Sequence, residues 1–244
     1  MLEVNKEVGI NLPVEVSETL LEACSLSESR LLYPFVMTCL ETGSRSGVVK
    51  TLQWERIDFE GRGLRFAKDK TKAGSWRTIP VSKRAMATLE VWSANFPNRQ
   101  PQDYVFPREV YQQAKGGKMK VIWSDAKHHL TSLQRAWETA LERTGWILAG
   151  RPDATEKVAP VQCRFHDLRH TAISRMIANK TPIPIIAVLV GWSPTTMWEM
   201  AQRYGHFDID TLREHVEGIS RDVNFEGSHQ KSHQSQVSRP TSVC

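Results

Sequence analysis

The 244-residue chain carries 32 Lys and Arg against 27 Asp and Glu, a formal charge of +5 with an isoelectric point near 9.1. A basic excess of this size admits a polyanionic partner without requiring one. Hydrophobic residues make up 40% of the sequence and eight are Trp, so a packed core is expected rather than disorder, and no run approaches the length of a membrane span. Cysteines stand at 24, 39, 163 and 244 with no close pair, which excludes a C-x-x-C zinc site and a secreted disulfide framework. The N-terminus has no apolar signal core, so a soluble, cytoplasmic protein is expected.

Residues 1–16 contain Gly9 and Pro13, show no sustained period, and read as a lead-in or linker. Ser17 is placed to cap a helix that runs through Leu20, Leu21 and Cys24. Residues 30–41 are apolar on most faces, which predicts a core helix stopped by Gly43. Arg45 lies just past that stop, in Thr42-Gly43-Ser44-Arg45. Residues 57–66 and 76–81 are rich in β-formers and separated by turns, so a small antiparallel sheet is predicted. Lys72 falls in one of those turns, Lys70-Thr71-Lys72-Ala73-Gly74.

Helical spacing returns over residues 82–94, through Ala85, Met86, Leu89 and Trp92. Residues 95–129 give little beyond an extended piece at 104–107 and a basic loop at 115–120 suited to backbone phosphates. His128 and His129 are adjacent, their side chains diverge, and no carboxylate cluster flanks them, so no metal is expected. Residues 132–144 form a further helical stripe of Leu133, Trp137 and Leu141, and 151–161, with Pro152 and Pro160, read as a loop.

The stretch from Phe165 to His206 organises the rest. It opens with His166-Asp167-Leu168-Arg169-His170, passes Gly191-Trp192-Ser193 and closes on Arg203-Tyr204-Gly205-His206. With no Pro or Gly up to Thr181, its first part is predicted helical, and His166 and Arg169, three apart, project from one face where both can meet one phosphate. Leu168, Ala172 and Met176 form one apolar stripe, while Ile173 and Ile177 fall on the His166 side, so the helix is buried on more than one face. A core histidine bonded to backbone is the alternative for His166, but a buried Arg169 needs a compensating anion. Trp192 follows a short apolar helix, 183–190, and is either core filler or an indole N–H donor beside a phosphate.

With Arg45 and Lys72 added, this set resembles the phage-integrase type of tyrosine recombinase, whose ordered residues are arginine, lysine, histidine, arginine, histidine or tryptophan, and tyrosine. Matched position by position, the resemblance implies Arg45, Lys72, His166, Arg169, Trp192 and Tyr204 as the catalytic set, with Lys70 an alternative to Lys72. It covers roughly residues 17–223, nearly the whole chain. It implies a mainly α fold with a small antiparallel β-sheet (α+β), and DNA strand cutting and rejoining through a 3′-phosphotyrosyl intermediate, without metal, ATP or other cofactor. A type IB topoisomerase-like enzyme and a non-catalytic DNA-binding relic are the alternative readings. The implied partners are double-stranded DNA and further copies of the chain, a tetramer on DNA, joined through a C-terminal helix at Leu212, Val216 and Ile219; a nucleoid-associated location follows. The tail 224–244, rich in Ser, His and Gln, is expected to be disordered.

Two departures from the family pattern stand out. Val48 occupies a position three after the first arginine where the family usually has an acid. Tyr204 follows Trp192 by 12 positions, about one helical turn more than usual, which places the extra turn at residues 195–199. The family's separate N-terminal helical domain has no counterpart in these residues.

Overall fold

The computed structural model describes residues 9–66, 77–114, 119–150 and 159–204, with only the backbone of Arg203 and Tyr204 at its end. Lys72, most of the predicted basic loop, most of the loop after residue 150, the predicted C-terminal helix and the tail lie outside these residues. The described part is mainly α with two small antiparallel sheets.

The core is built on α2 (Leu32–Thr42), almost every residue of which is buried. Such a helix has no polar face to offer water and must be covered on all sides. α1 (Val14–Ser25) lays Leu20, Leu21 and Cys24 against it. This helix begins earlier than the Ser17 cap predicts. Pro13, at φ −52°, has the fixed backbone that starts it, and Ser17 sits inside the first turn with its hydroxyl donating to Val14 O at 2.7 Å. α2 stops at Gly43, whose φ of 60° turns the chain out of the helix.

A five-residue helix, α3 (Ser46–Lys50), and a single 3-10 turn at Trp54–Arg56 lead into the sheet β1 (Ile57–Asp58), β2 (Gly63–Phe66), β3 (Arg77–Pro80). Its register pairs Leu64 with Ile79 and Phe66 with Arg77, turning Leu64, Phe66 and Ile79 into the core. α4 (Lys83–Ser93) is capped by Ser82, whose Oγ accepts from Ala85 N–H at 3.1 Å, and buries the predicted stripe of Ala85, Met86, Leu89 and Trp92. The region read as patternless holds a long hairpin, β4 (Pro107–Gln113) with β5 (Met119–His129). Its distal part has no buried face: Ile122 is 56% and Trp123 47% exposed.

α5 (Gln134–Leu148) buries Trp137, whose indole N–H donates to Cys163 O at 3.1 Å and whose ring stacks on Phe165, centroids 4.4 Å apart. That stack fixes the start of α6 (Phe165–Ala178), the helix of His166 and Arg169. α6 ends three residues before Thr181, because Lys180 takes the left-handed conformation at φ 56°. Residues 9–12, within the predicted lead-in, lie along α6: Ile10 N–H donates to Asp167 Oδ1 at 3.3 Å and Leu12 N–H to Thr171 Oγ1 at 3.1 Å. The chain closes with α7 (Ile183–Val190) and α8 (Pro194–Tyr204). A small second cluster of Ile173, Ile186 and Val190 joins α6 to α7, with Trp192 packed against it.

Candidate functional site

α2 and α7 both end on a glycine with positive φ, Gly43 at 60° and Gly191 at 71°. The last carbonyls of such helices lack partners inside the helix and form the negative end of its dipole. Arg169 meets both. It is 4% exposed, and its Nη1 donates to Gly43 O at 2.8 Å and to Val190 O at 2.7 Å. A charge buried to this degree needs a compensating anion or dipole. Two helix-end carbonyls supply part of that compensation within the protein itself.

These two bonds draw distant segments together. Arg45 stands two residues beyond Gly43, extended at φ −62° and ψ 137°, with its carbonyl accepting the N–H groups of Val48 and Val49 at the start of α3. Trp192 stands two residues beyond Val190, its backbone N–H bonded to Ala187 O at 2.9 Å and its half-buried ring against Ile173, Ile186 and Val190. Val48, at the position of the family's acid, packs partly buried against the core. Arg45, Arg169 and Trp192 thus sit on three loop or helix positions that Arg169 itself ties into one region.

His166 occupies the first turn of α6, exposed as a residue but with its ring partly covered. Partial burial, then the positive charges of Arg169 and Arg45, hold its imidazole below the usual 6.5; Asp167 pulls the other way. A neutral imidazole at neutral pH can accept a proton. Its ring meets His170 edge-on, centroids 4.8 Å apart, and His170 in turn lies under the bare face of Gly9, where a Cβ would fall on the ring. Asp167, 0% exposed, closes the helix start by accepting from Arg164 N–H at 2.8 Å and Arg164 Nη2 at 2.9 Å.

Tyr204 is the last residue of α8, a helix that Ser193 caps by accepting Thr196 N–H at 3.1 Å. Residues 195–199, where the extra turn was expected, lie inside α8. Lys72 falls in the segment 67–76, outside the described residues. Arg77, the first described residue after that segment and not among the candidates from sequence, touches both Ser44 and Gly191. A basic residue inside the predicted strand 76–81, just after the turn that carries Lys72, was its only signal. Burial pushes the thiols of Cys24 and Cys163 up to about 12, so neither offers a competing nucleophile. A cavity of about 600 Å³ between Ser29, Tyr111, Leu133 and Arg135 contains none of these groups.

A mainly helical domain that gathers an arginine, a histidine, a second arginine and a tryptophan around two helix ends, with a tyrosine closing the following helix, has the architecture of a tyrosine recombinase catalytic domain. Residues 11–209 match the phage integrase family, and the chain belongs to it. It is 26% identical over 180 residues to the integrase of Salmonella phage P22, covering 74% of this chain and 40% of that protein. It is also 26% identical over 178 residues to a shufflon-specific DNA recombinase of Escherichia coli, covering 72% of this chain and 35% of that one. The chain therefore spans well under half the length of these two relatives. The catalytic domain of bacteriophage HP1 integrase shares its fold, with a TM-score of 0.52 at 23% identity over 85% of this chain and 93% of that one. So does the Tn1549 transposon integrase in complex with transposon right end DNA, with a TM-score of 0.56 at 17% identity over 90% of this chain and 68% of the other.

Proposed function

We propose that residues 17–223 form the catalytic domain of a site-specific DNA recombinase of a phage or other mobile element, cutting and rejoining double-stranded DNA. The observation that carries this is the bonding of Arg169 to the two turns that lead to Arg45 and Trp192, beside a histidine whose pKa is depressed by burial and neighbouring positive charge. Attack on a phosphodiester gathers negative charge on the nonbridging oxygens, so fixed donors are the main requirement. Arg45 and Arg169 present planar guanidinium groups to those oxygens, and the Trp192 N–H adds a third donor.

The Tyr204 oxygen attacks phosphorus as its phenolic proton passes to His166, the bond to the 5′ oxygen breaks, and Lys72 protonates that leaving oxygen. The product is a 3′-phosphotyrosyl link and a free 5′ hydroxyl. A 5′ hydroxyl from a second strand reverses the step, so the exchange needs no outside energy source. Exchange between two duplexes calls for several copies on DNA, for which the segment at Leu212, Val216 and Ile219 is the proposed contact, in the cytoplasm at the nucleoid. The integrase and recombinase relatives favour this over topoisomerase-like relaxation or a non-catalytic relic.

The test is covalent trapping on nicked duplexes carrying the sequences that flank the gene. Wild type forms a protein–DNA adduct on denaturing gels, Tyr204→Phe binds the same DNA without forming one, and Arg169→Ala cleaves about 10²- to 10³-fold more slowly, the loss typical of one transition-state donor. An adduct in Tyr204→Phe, mapped to another residue, overturns the assignment.

A further inference from the structure

Arg77 opens β3, paired across the sheet with Phe66, and its guanidinium carbon stands 5.4 Å from the centre of the Phe66 ring. Nη2 makes a long contact to Ser44 Oγ at 3.5 Å. Nη1 lies against Gly191, in the space a side chain at that position would need. Ser44 is 1% exposed and immediately precedes Arg45; Gly191 immediately precedes Trp192. One residue upstream in each turn, Gly43 and Val190 are held by Arg169. Two guanidinium groups, one from α6 and one from β3, therefore grip the same pair of turns.

We infer that Arg77 is a positioning residue for strand cleavage: it locks the Ser44-Arg45 turn against the Gly191-Trp192 turn and so sets the separation of two groups that grip the phosphate. This rests on the strand-cleavage reading above. A guanidinium can lie on an aromatic face, contact a hydroxyl along one edge and pack on a glycine with the other, because its donors share a plane. A lysine ammonium is a single point on a flexible stem and cannot hold all three. Arg77 is also the first described residue after the segment that carries Lys72, so the same anchor fixes the strand end at which that segment rejoins the sheet. Misplacement by an ångström at a reacting centre costs about 10²-fold in rate without weakening ground-state binding in proportion. Positioning and direct DNA contact thus predict different kinetics.

The experiment measures single-turnover cleavage at saturating DNA, duplex affinity and melting temperature on the nicked duplexes described above. It uses wild type, Arg77→Ala, Arg77→Lys, Ser44→Ala and the double variant of Arg77→Ala with Ser44→Ala. Arg77→Ala and Arg77→Lys are expected to lower the saturating rate about 30- to 100-fold with affinity changed less than about threefold, and the double variant to be no slower than Arg77→Ala alone. If Arg77→Ala does not fold, Arg77→Lys, which keeps the charge and loses the plane, carries the comparison. A wild-type saturating rate in the folded variants overturns the inference, as does a loss confined to affinity, or losses that multiply in the double variant. The absence of an adduct with wild type overturns the strand-cleavage reading itself, and is seen before any variant is made.

Discussion

His166 is a residue on which three guanidinium groups bear, Arg169 most strongly. The proposed proton transfer from Tyr204 needs its imidazole neutral. Partial burial and the fields of Arg169, Arg45 and Arg164 favour that form, while Asp167 opposes it, and His170 lies against the ring from the next turn of α6. A base whose pKa is depressed keeps its activity to lower pH and loses it only as pH falls through the depressed value. The acid limb of single-turnover cleavage is therefore expected below pH 6.5, the ordinary histidine value. Arg45→Gln, which removes one of the positive charges, should move that limb upward even as the overall rate drops. A limb above 6.5 in wild type, or one that does not move in the variant, would show that a different group governs the acid side.

At the scale of elements, the segment before α1 deserves the same weight as the helix it covers. Leu12 N–H is buried against Thr171 Oγ1, which itself donates to Asp167 O at 2.8 Å, so one hydroxyl joins this strap to α6. Thr171→Val keeps the shape and removes both bonds, leaving the Leu12 N–H without an acceptor, at an expected cost of about 1–3 kcal/mol. Urea unfolding should show a lower midpoint at unchanged slope, whereas an unchanged midpoint would mean the strap adds nothing to stability. The strap was not legible in the sequence, since five residues with Gly and Pro show no period. Neither was the β4–β5 hairpin, because a ribbon solvated on both faces has no alternation to display. The helices α2, α4 and α5 were legible, as each packs a stripe or a whole surface into the core. All six candidate residues belong to motif segments readable one by one, yet the approach of the turns before Arg45 and Trp192 to Arg169 was not, because its two carbonyl partners lie 126 and 21 positions away. Only the Gly stops at 43 and 191, with the candidate residues Arg45 and Trp192 within two positions of them, hinted that two helix ends would meet.

For the molecule as a whole, the charge balance separates holding DNA from cutting it. An excess of five cations in 244 residues is modest for the proposed hold on a polyanion, so in that reading affinity depends on where cations cluster rather than on their sum. In the proposed function Arg45, Arg169 and Trp192 converge on one phosphate, and Lys72 on its leaving oxygen. Each phosphate neutralised contributes about −0.9 to the slope of log affinity against log salt concentration. Removing Arg45 should therefore flatten that slope by no more than about one. The same change should cost about 10²- to 10³-fold in single-turnover cleavage, because a transition-state contact registers in rate far more than in binding. Titrating wild type and Arg45→Ala with duplex DNA at about 50–200 mM salt, alongside cleavage rates at saturating DNA, separates the two quantities. A slope reduced by several units would mean that Arg45 organises a broad DNA-facing surface rather than one phosphate, and the point-like site argued from Gly43, Val190 and Arg169 would have to be redrawn as an extended one.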